Sequence, residues 1–273
     1  MFDLSTDYLA LVLVLILLWE YCFPRDVIKN ITSRWLNNFS LYVFNLIIKW
    51  IITVLISFIA LENFPIADQY SLRFFLTNKV NLQTYLLIAF VLFDLFFYSL
   101  HRLFHRYQYL WRLHLVHHSD VELDVTTNFR HHPLEQLLTS FIIALFIWLG
   151  QFTIDAVMLY GAFAAIIQIW HHGNISLPTK IENLLSWLII TPSIHQLHHS
   201  TKRKETDSNY GAVFSVWDRL FNSLSTPITI NGRRDIKQGL EYFREPQQQK
   251  LWQTLKQPFE YSLNNTGSQK EGK

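Results

Sequence analysis

Five apolar blocks constrain this chain more than any single residue does. Residues 8–23, 39–61, 85–100, 134–149 and 154–170 are dominated by apolar side chains over 16 to 23 positions each. A soluble core spreads its apolar residues at a period of 3.6 or 2, whereas continuous blocks of this length can cross a bilayer. In hydrocarbon every backbone N–H and C=O must be paired within the protein, so the blocks are read as helices. The third block ends at His101, and all twelve histidines of the 273-residue chain lie between positions 101 and 199. The expected architecture is an all-α integral membrane protein with about four or five crossing helices and a histidine-rich helical cap.

Composition narrows the partners. The net charge of +2, with no extended basic patch interleaved with aromatics, points away from nucleic acid. The single cysteine, Cys22, excludes an intrachain disulfide and any CxxC metal or redox site.

Block 8–23 is expected to be a retained anchor, since neither a basic leader nor a small-residue cleavage site flanks it. Arg25, Lys29 and Arg34 make a first basic loop. By the positive-inside rule this loop is cytoplasmic, and counting crossings then places every histidine on the cytoplasmic side. Asn45 and Lys49 are four apart in the second block and predict a polar seam towards a neighbouring helix. Residues 62–83 are expected to form a loop or interfacial segment. Blocks 134–149 and 154–170, joined by 150–153, predict a helical hairpin that returns His171 and His172 to the face carrying Arg130, His131 and His132. Residues 181–190 are too short to cross and belong to the interface or the cap. From about Glu245 a Gln-rich, poorly ordered tail is expected.

The histidines are spaced for metal. His101 and His105 share one helical face, which extends back to Tyr98 and Asp94. A carboxylate in an apolar run is costly, so Asp94 is expected to accept the second N–H of a ligating imidazole; its rival role is an ion pair with Lys49. His117 and His118 point about 100° apart on a helix, so His114, His117 and His118 can feed two neighbouring metals. His195, His198 and His199 repeat the pattern, on a helix started by Thr191 as N-cap and Pro192 at its first position. His172, four after Gln168, is favoured over His171. Imidazole without thiolate suits Fe, Zn, Cu or Ni. Eight or nine nitrogens exceed the capacity of one metal, and a structural zinc needs only four. The HExxH of zinc peptidases is absent. Redox chemistry on a membrane-dissolved substrate is the economical reading; the alternative is a non-catalytic membrane metal-binding or metal-transport protein.

The ordered set DLFFYSLHRLFH, LWRLHLVHHSD, DVTTNFRHHPLE, QIWHHGN, TPSIHQLHH and NYGAVFSVWDRLF resembles the fatty acid hydroxylase/sterol desaturase superfamily of integral-membrane di-iron enzymes, over roughly residues 90–222. The style is that of the branch holding bacterial sterol-desaturase-like proteins and alkylglycerol monooxygenase. The resemblance implies two non-haem iron ions held by His101, His105, His114, His117, His118, His172, His195, His198 and His199. Asp94, His132, Gln168, His171 and Asn174 are expected to stand behind these ligands and orient them. Arg130 and Glu135 match a family segment with no assigned role, and Asn222 replaces a usual Gly. The implied chemistry is O2-dependent hydroxylation or desaturation of a lipid C–H bond: an acyl chain, a sterol-like ring or an ether lipid. Electrons would come from a separate carrier, a small cytochrome or a ferredoxin with its reductase, because no haem-binding domain is fused to the matched region. The division expected is membrane anchor helices at 1–84, a catalytic region at 85–222 and a polar tail at 223–273. The implied location is a bacterial inner membrane or the endoplasmic reticulum.

Overall fold

A computed structural model of the protein describes residues 6–29, 31–63, 80–226 and 236–261. Most of the expected loop at 62–83 lies outside the described residues. Among those described there is no strand, only three isolated bridges. The helices are α1 (Thr6–Cys22), α2 (Ile31–Asn63), α3 (Leu82–Arg106), α4 (Gln108–His118), α5 (Pro133–Gly150), α6 (Ile154–His172), α7 (Thr179–Leu185), α8 (Pro192–His198), α9 (Arg203–Thr206), α10 (Val216–Leu220) and α11 (Leu251–Glu260). Four segments are long and apolar enough to cross a membrane: Ile31–Leu55, Leu82–Arg106, Pro133–Gly150 and Ile154–His172; α1 is shorter. This is an all-α, multi-pass integral membrane protein.

The spans turn large apolar side chains outward, as lipid requires: Val43, Ile47 and Trp50 on α2, Phe141 and Leu145 on α5, Met158 and Phe163 on α6 are all exposed. Inward, Tyr85, Ala89 and Phe93 of α3 recur every fourth residue and meet Ala156, Tyr160 and Ala164 of α6. The alanines let the two helices approach closely, and the rings of Phe93 and Tyr160 stack at 5.4 Å. The short connection expected between α5 and α6 is present, but α5 packs on α2 and α6 on α3 rather than chiefly on each other. Gln151, at φ 50°, ends α5 in the left-handed conformation, and Thr153 caps α6 by accepting the Ala156 N–H. Of the expected seam, Asn45 is buried and its Nδ2 donates to the His131 carbonyl ahead of α5 at 3.0 Å, whereas Lys49 is exposed.

Two expectations are corrected. Arg34 lies in α2 rather than in a basic loop. It is buried, and it donates to Asp120 Oδ1 at 2.7 Å and Asp124 Oδ2 at 2.8 Å, so its charge is neutralised inside the protein. The chain from Glu245 to Tyr261 is folded, and the rest of the expected tail lies outside the described residues. A 3-10 turn at Pro246–Gln249 leads into α11, and Leu251, Leu255 and Tyr261 pack on Leu41, Trp111 and Leu115. The Gln-rich composition hid an apolar stripe at helical spacing.

Candidate metal centre

Helix α3 carries His101 and His105 past the end of its apolar run. Tyr107, in an extended conformation, separates α3 from α4 and lets α4 bring His114, His117 and His118 against them. Helix α6 ends at His172, capped by Gly173. Helix α8 begins as expected, with Thr191 preceding Pro192, and ends on His195, His198 and His199. The Thr191 hydroxyl does not cap the helix; it donates to Glu182 Oε1.

Nine histidines gather in two groups. His101, His105, His114, His118 and His198 offer ring nitrogens within 4.8 Å of one another, and so do His117, His172, His195 and His199. His117 and His118 fall in different groups, as their angular separation predicts. All nine belong to the ligand set implied by the resemblance, and no member of that set lies elsewhere.

The ring orientations suit these groups to metal by chemistry as well as proximity. His101 Nδ1 faces the Tyr210 carbonyl at 3.0 Å, His117 Nδ1 the Arg130 carbonyl at 3.3 Å, His172 Nδ1 the Gln168 carbonyl at 2.7 Å and His198 Nδ1 the Ser208 carbonyl at 2.6 Å. His114 Nδ1 faces Glu135 Oε1 at 2.8 Å. A carbonyl or carboxylate only accepts, so each Nδ1 holds the ring proton and each Nε2 presents a lone pair. Yet His101 Nε2 lies 3.2 Å from His114 Nε2 and 3.1 Å from His198 Nε2, and His117 Nε2 lies 3.2 Å from His172 Nε2. With neutral rings, the form that binds metal, neither nitrogen in these three contacts has a proton to give. Lone pairs converging at this range are an arrangement that a shared cation would satisfy. Nitrogens bound at right angles to one metal at about 2.1 Å would stand about 3 Å apart. His105 and His118 fit the same conclusion, because neither ring nitrogen of either residue has a hydrogen-bond partner although both residues are buried. Burial foremost, and the neighbouring imidazoles next, push His117, His118, His195 and His199 well below the ordinary imidazole value. Burial likewise lowers His198 to about 3. Neutral imidazole is the form that binds metal.

The supporting residues differ from expectation. Asp94 touches neither a histidine nor Lys49. It accepts from the Tyr160 hydroxyl (3.0 Å), the Val213 and Phe214 N–H groups (3.1 Å each) and Trp217 Nε1 (2.8 Å). It staples the segment 209–221 to α3 and α6, and the Tyr210 carbonyl of that segment in turn orients His101. The carboxylate that hydrogen-bonds a histidine of these groups is Glu135, which also takes His131 Nδ1 at 3.1 Å. Glu135 opens an apolar run, as Asp94 sits in one, and that signal was available in the sequence. His132 caps α5 by accepting the Leu134 N–H and bonds the Leu255 carbonyl, away from both groups. Gln168 acts through its backbone carbonyl alone. Asn174 ties the Asp26 backbone to the end of α6 and contacts no ligand. His171 stacks on His195 at 3.9 Å but belongs to neither group.

Arg130 is the support that sequence reasoning left without a role. Fully buried, it donates to the Val116 carbonyl, Ser119 Oγ, Asn38 Oδ1 and Gln249 Oε1, all within 3.2 Å. It thereby clamps the end of α4, where His117 and His118 sit, to α2 and to the chain before α11.

The fatty acid hydroxylase profile matches residues 86–223, which hold all nine histidines. The chain is 34% identical to human alkylglycerol monooxygenase over 141 residues, covering 50% of this chain and 29% of the relative. It is 31% identical to the ornithine lipid hydroxylase OlsE of Rhizobium tropici over 130 residues (48% and 38%) and 28% identical to human lathosterol oxidase over 165 residues (58% and 50%). Each match spans half or less of the relative's own length. No solved structure matches the chain. With the family match covering half the chain and containing the whole histidine arrangement, the protein belongs to the fatty acid hydroxylase family.

Proposed function

We propose that the protein is a membrane-bound di-iron oxygenase that hydroxylates or desaturates a C–H bond of a lipid, using O2 and electrons from a separate carrier protein. The observation that carries this reading is the pair of histidine groups whose Nε2 lone pairs converge with no proton between them. His101, His105, His114, His118 and His198 would hold one iron; His117, His172, His195 and His199 would hold the other. The bound irons would supply the reducing power that lets dioxygen attack an unactivated C–H bond. In hydroxylation one oxygen atom ends in the lipid and the other in water, with two electrons and two protons consumed.

The chain's own residues do the rest. Carbonyls at Tyr210, Arg130, Gln168 and Ser208 fix the ring tautomers, and Glu135 holds the Nδ1 proton of His114. Burial of all nine rings but the half-buried His101 limits water around the oxidant. Residues 85–222 would carry the chemistry, with the histidine cap on the cytoplasmic face. The relatives named above act, by their names, on alkylglycerols, ornithine lipids and lathosterol, which supports a lipid substrate for this chain.

Protein purified in mild detergent from iron-replete cells should carry close to two metals per chain, and lipids of cells with and without it should differ by a hydroxyl or a double bond. A stoichiometry of one would sink the two-metal reading. Two metals with unchanged lipids would favour a metal-binding or metal-transport protein instead.

A further inference from the structure

His105 also lines a cavity of about 360 Å3, together with Arg102, Arg106, Arg203, Asp207 and Asn222. Three guanidiniums meet a single carboxylate there. Arg203 is engaged internally: its Nε donates to Asp207 Oδ2 at 2.6 Å, its Nη2 donates to the His105 carbonyl at 3.1 Å, and its guanidinium lies 4.5 Å over the Trp111 ring. Arg102 gives one N–H to the Tyr98 hydroxyl at 3.0 Å, and both Arg102 and Arg106 are exposed. The Arg203–Asp207 pair therefore leaves two positive charges facing the cavity.

A plain explanation is that Arg102 and Arg106 are solvated side chains that complement the carboxyl end of α3. Two features go beyond it. The arginines converge on a concavity with Arg203, which sits about a hundred positions along the chain, rather than fanning into solvent. Asn222 holds φ 54°, a backbone conformation that glycine enters without strain, and so places a carboxamide in the cavity wall. Guanidinium forks match the oxygens of phosphate and carboxylate and stay charged at every physiological pH. Arg102 and Arg106 occupy the last two turns of a helix long enough to cross a membrane, the level at which lipid headgroups lie.

We propose that this cavity binds the anionic headgroup, phosphate or carboxylate, of a membrane lipid. That the bound lipid is the one oxidised rests on the di-iron reading above; the binding site itself stands on Arg102, Arg106 and Arg203. Its neighbourhood to His105 sets the headgroup beside the five-histidine group, and the lipid tail would then extend along α3.

The test uses the full, metal-loaded chain in detergent micelles supplied with phosphatidic acid and phosphatidylcholine, with retained lipid counted by native mass spectrometry. The unaltered protein should retain phosphatidic acid in preference, and millimolar inorganic phosphate should displace it. Arg102→Gln and Arg106→Gln should each weaken retention at least about tenfold, the size of one lost charge-assisted hydrogen bond. Unchanged retention in both variants, or equal retention of the two lipids, overturns the proposal. Phosphate binding with no lipid retained assigns the cavity to a soluble anion and overturns the headgroup. The phosphate arm needs no variant, so misfolding of either substitution leaves the proposal falsifiable. Metals counted in the same samples separate the two claims: two metals without lipid retention defeats the cavity alone, and one metal with normal retention defeats the di-iron reading alone.

Discussion

The two histidine groups share α4 and the end of α8, but α3 completes one and α6 the other, and they are supported differently. In the five-histidine group His114 is backed by the buried carboxylate of Glu135, and His105 Nδ1 lies 3.4 Å from Asp207, a charge contact too poorly aligned to count as a hydrogen bond. In the four-histidine group His117 and His172 are backed by neutral carbonyls, while His195 Nδ1 and His199 Nδ1 have no partner. A carboxylate behind an imidazole raises its basicity and fixes its orientation. The five-histidine group thus has more rings and a carboxylate bonded behind one of them; the other has fewer rings, backed by carbonyls alone. On the di-iron reading proposed above, the first group would retain its metal more firmly and the second would leave more coordination positions open, as a catalytic metal requires.

Removing a ligand tests this comparison most severely. His198→Ala and His117→Ala should each abolish nearly all activity, but with unequal metal loss: His117→Ala empties the four-histidine group, whereas the four histidines left in the other group keep part of its metal after His198→Ala. Equal and complete loss of both metals in the two variants would show one cooperative site instead of two. Glu135→Gln comes next. The amide keeps the shape but loses the charge behind His114, and about a 10–100-fold loss in metal affinity or activity is expected, confined to the five-histidine group. If a competitive chelator titration found both metals weakened alike, the asymmetry argued from Glu135 would be wrong.

The buried ion cluster beneath α4 should act on both groups equally. Burial raises the Asp120 carboxyl, but the guanidinium charges of Arg34 and Arg130 outweigh it and hold the group at about 2. Its folded value lies below the unfolded one, so the unfolded chain takes up the proton first as pH falls. The stabilisation, about 2–3 kcal/mol, is full above about pH 5 and is lost as the pH falls through 2. Comparing unfolding midpoints of the unaltered protein and Asp120→Asn across pH 5 to 2 checks this: the gap between them should close towards acid. A gap constant with pH would mean that Asp120 titrates alike in the folded and unfolded states and that its ion pairs contribute nothing.

Much of the centre was legible because helical spacing is local. HRLFH, HLVHH and HQLHH each place their rings within one or two turns, and the division of His117 from His118 followed from the angle alone. The support was harder to read, because it comes from distant parts of the chain. Asp94 meets residues 213–217, and Arg130 meets Gln249, through contacts that no local period encodes. Arg34 looked like a topology signal until Asp120 and Asp124 appeared beside it. Glu135 could have been found by applying the argument made for Asp94 to every carboxylate in an apolar run. The helix at Leu251–Glu260 was hidden by composition, although its apolar residues kept the right spacing.

The smallest effect on the comparison should come from Asp94, because its structural role is complete without a metal. Four donors converge on its two oxygens: Tyr160 and Val213 on one, Phe214 and Trp217 on the other. Asparagine offers one acceptor oxygen and one donor nitrogen, so Asp94→Asn turns an N–H pair towards two existing donors. Leaving such buried donors unsatisfied costs about 1–3 kcal/mol. Thermal unfolding should record that cost, while metal content stays close to the unaltered value because His101 remains held by the Tyr210 carbonyl. Lys49→Met should not restore the lost stability, since the charge near Lys49 is that of Glu135 and not Asp94. Depleted metal in a well-folded Asp94→Asn would instead show that segment 209–221 transmits strain to His101, and the five-histidine group would then depend on a support 11 residues or more beyond its last histidine, His198.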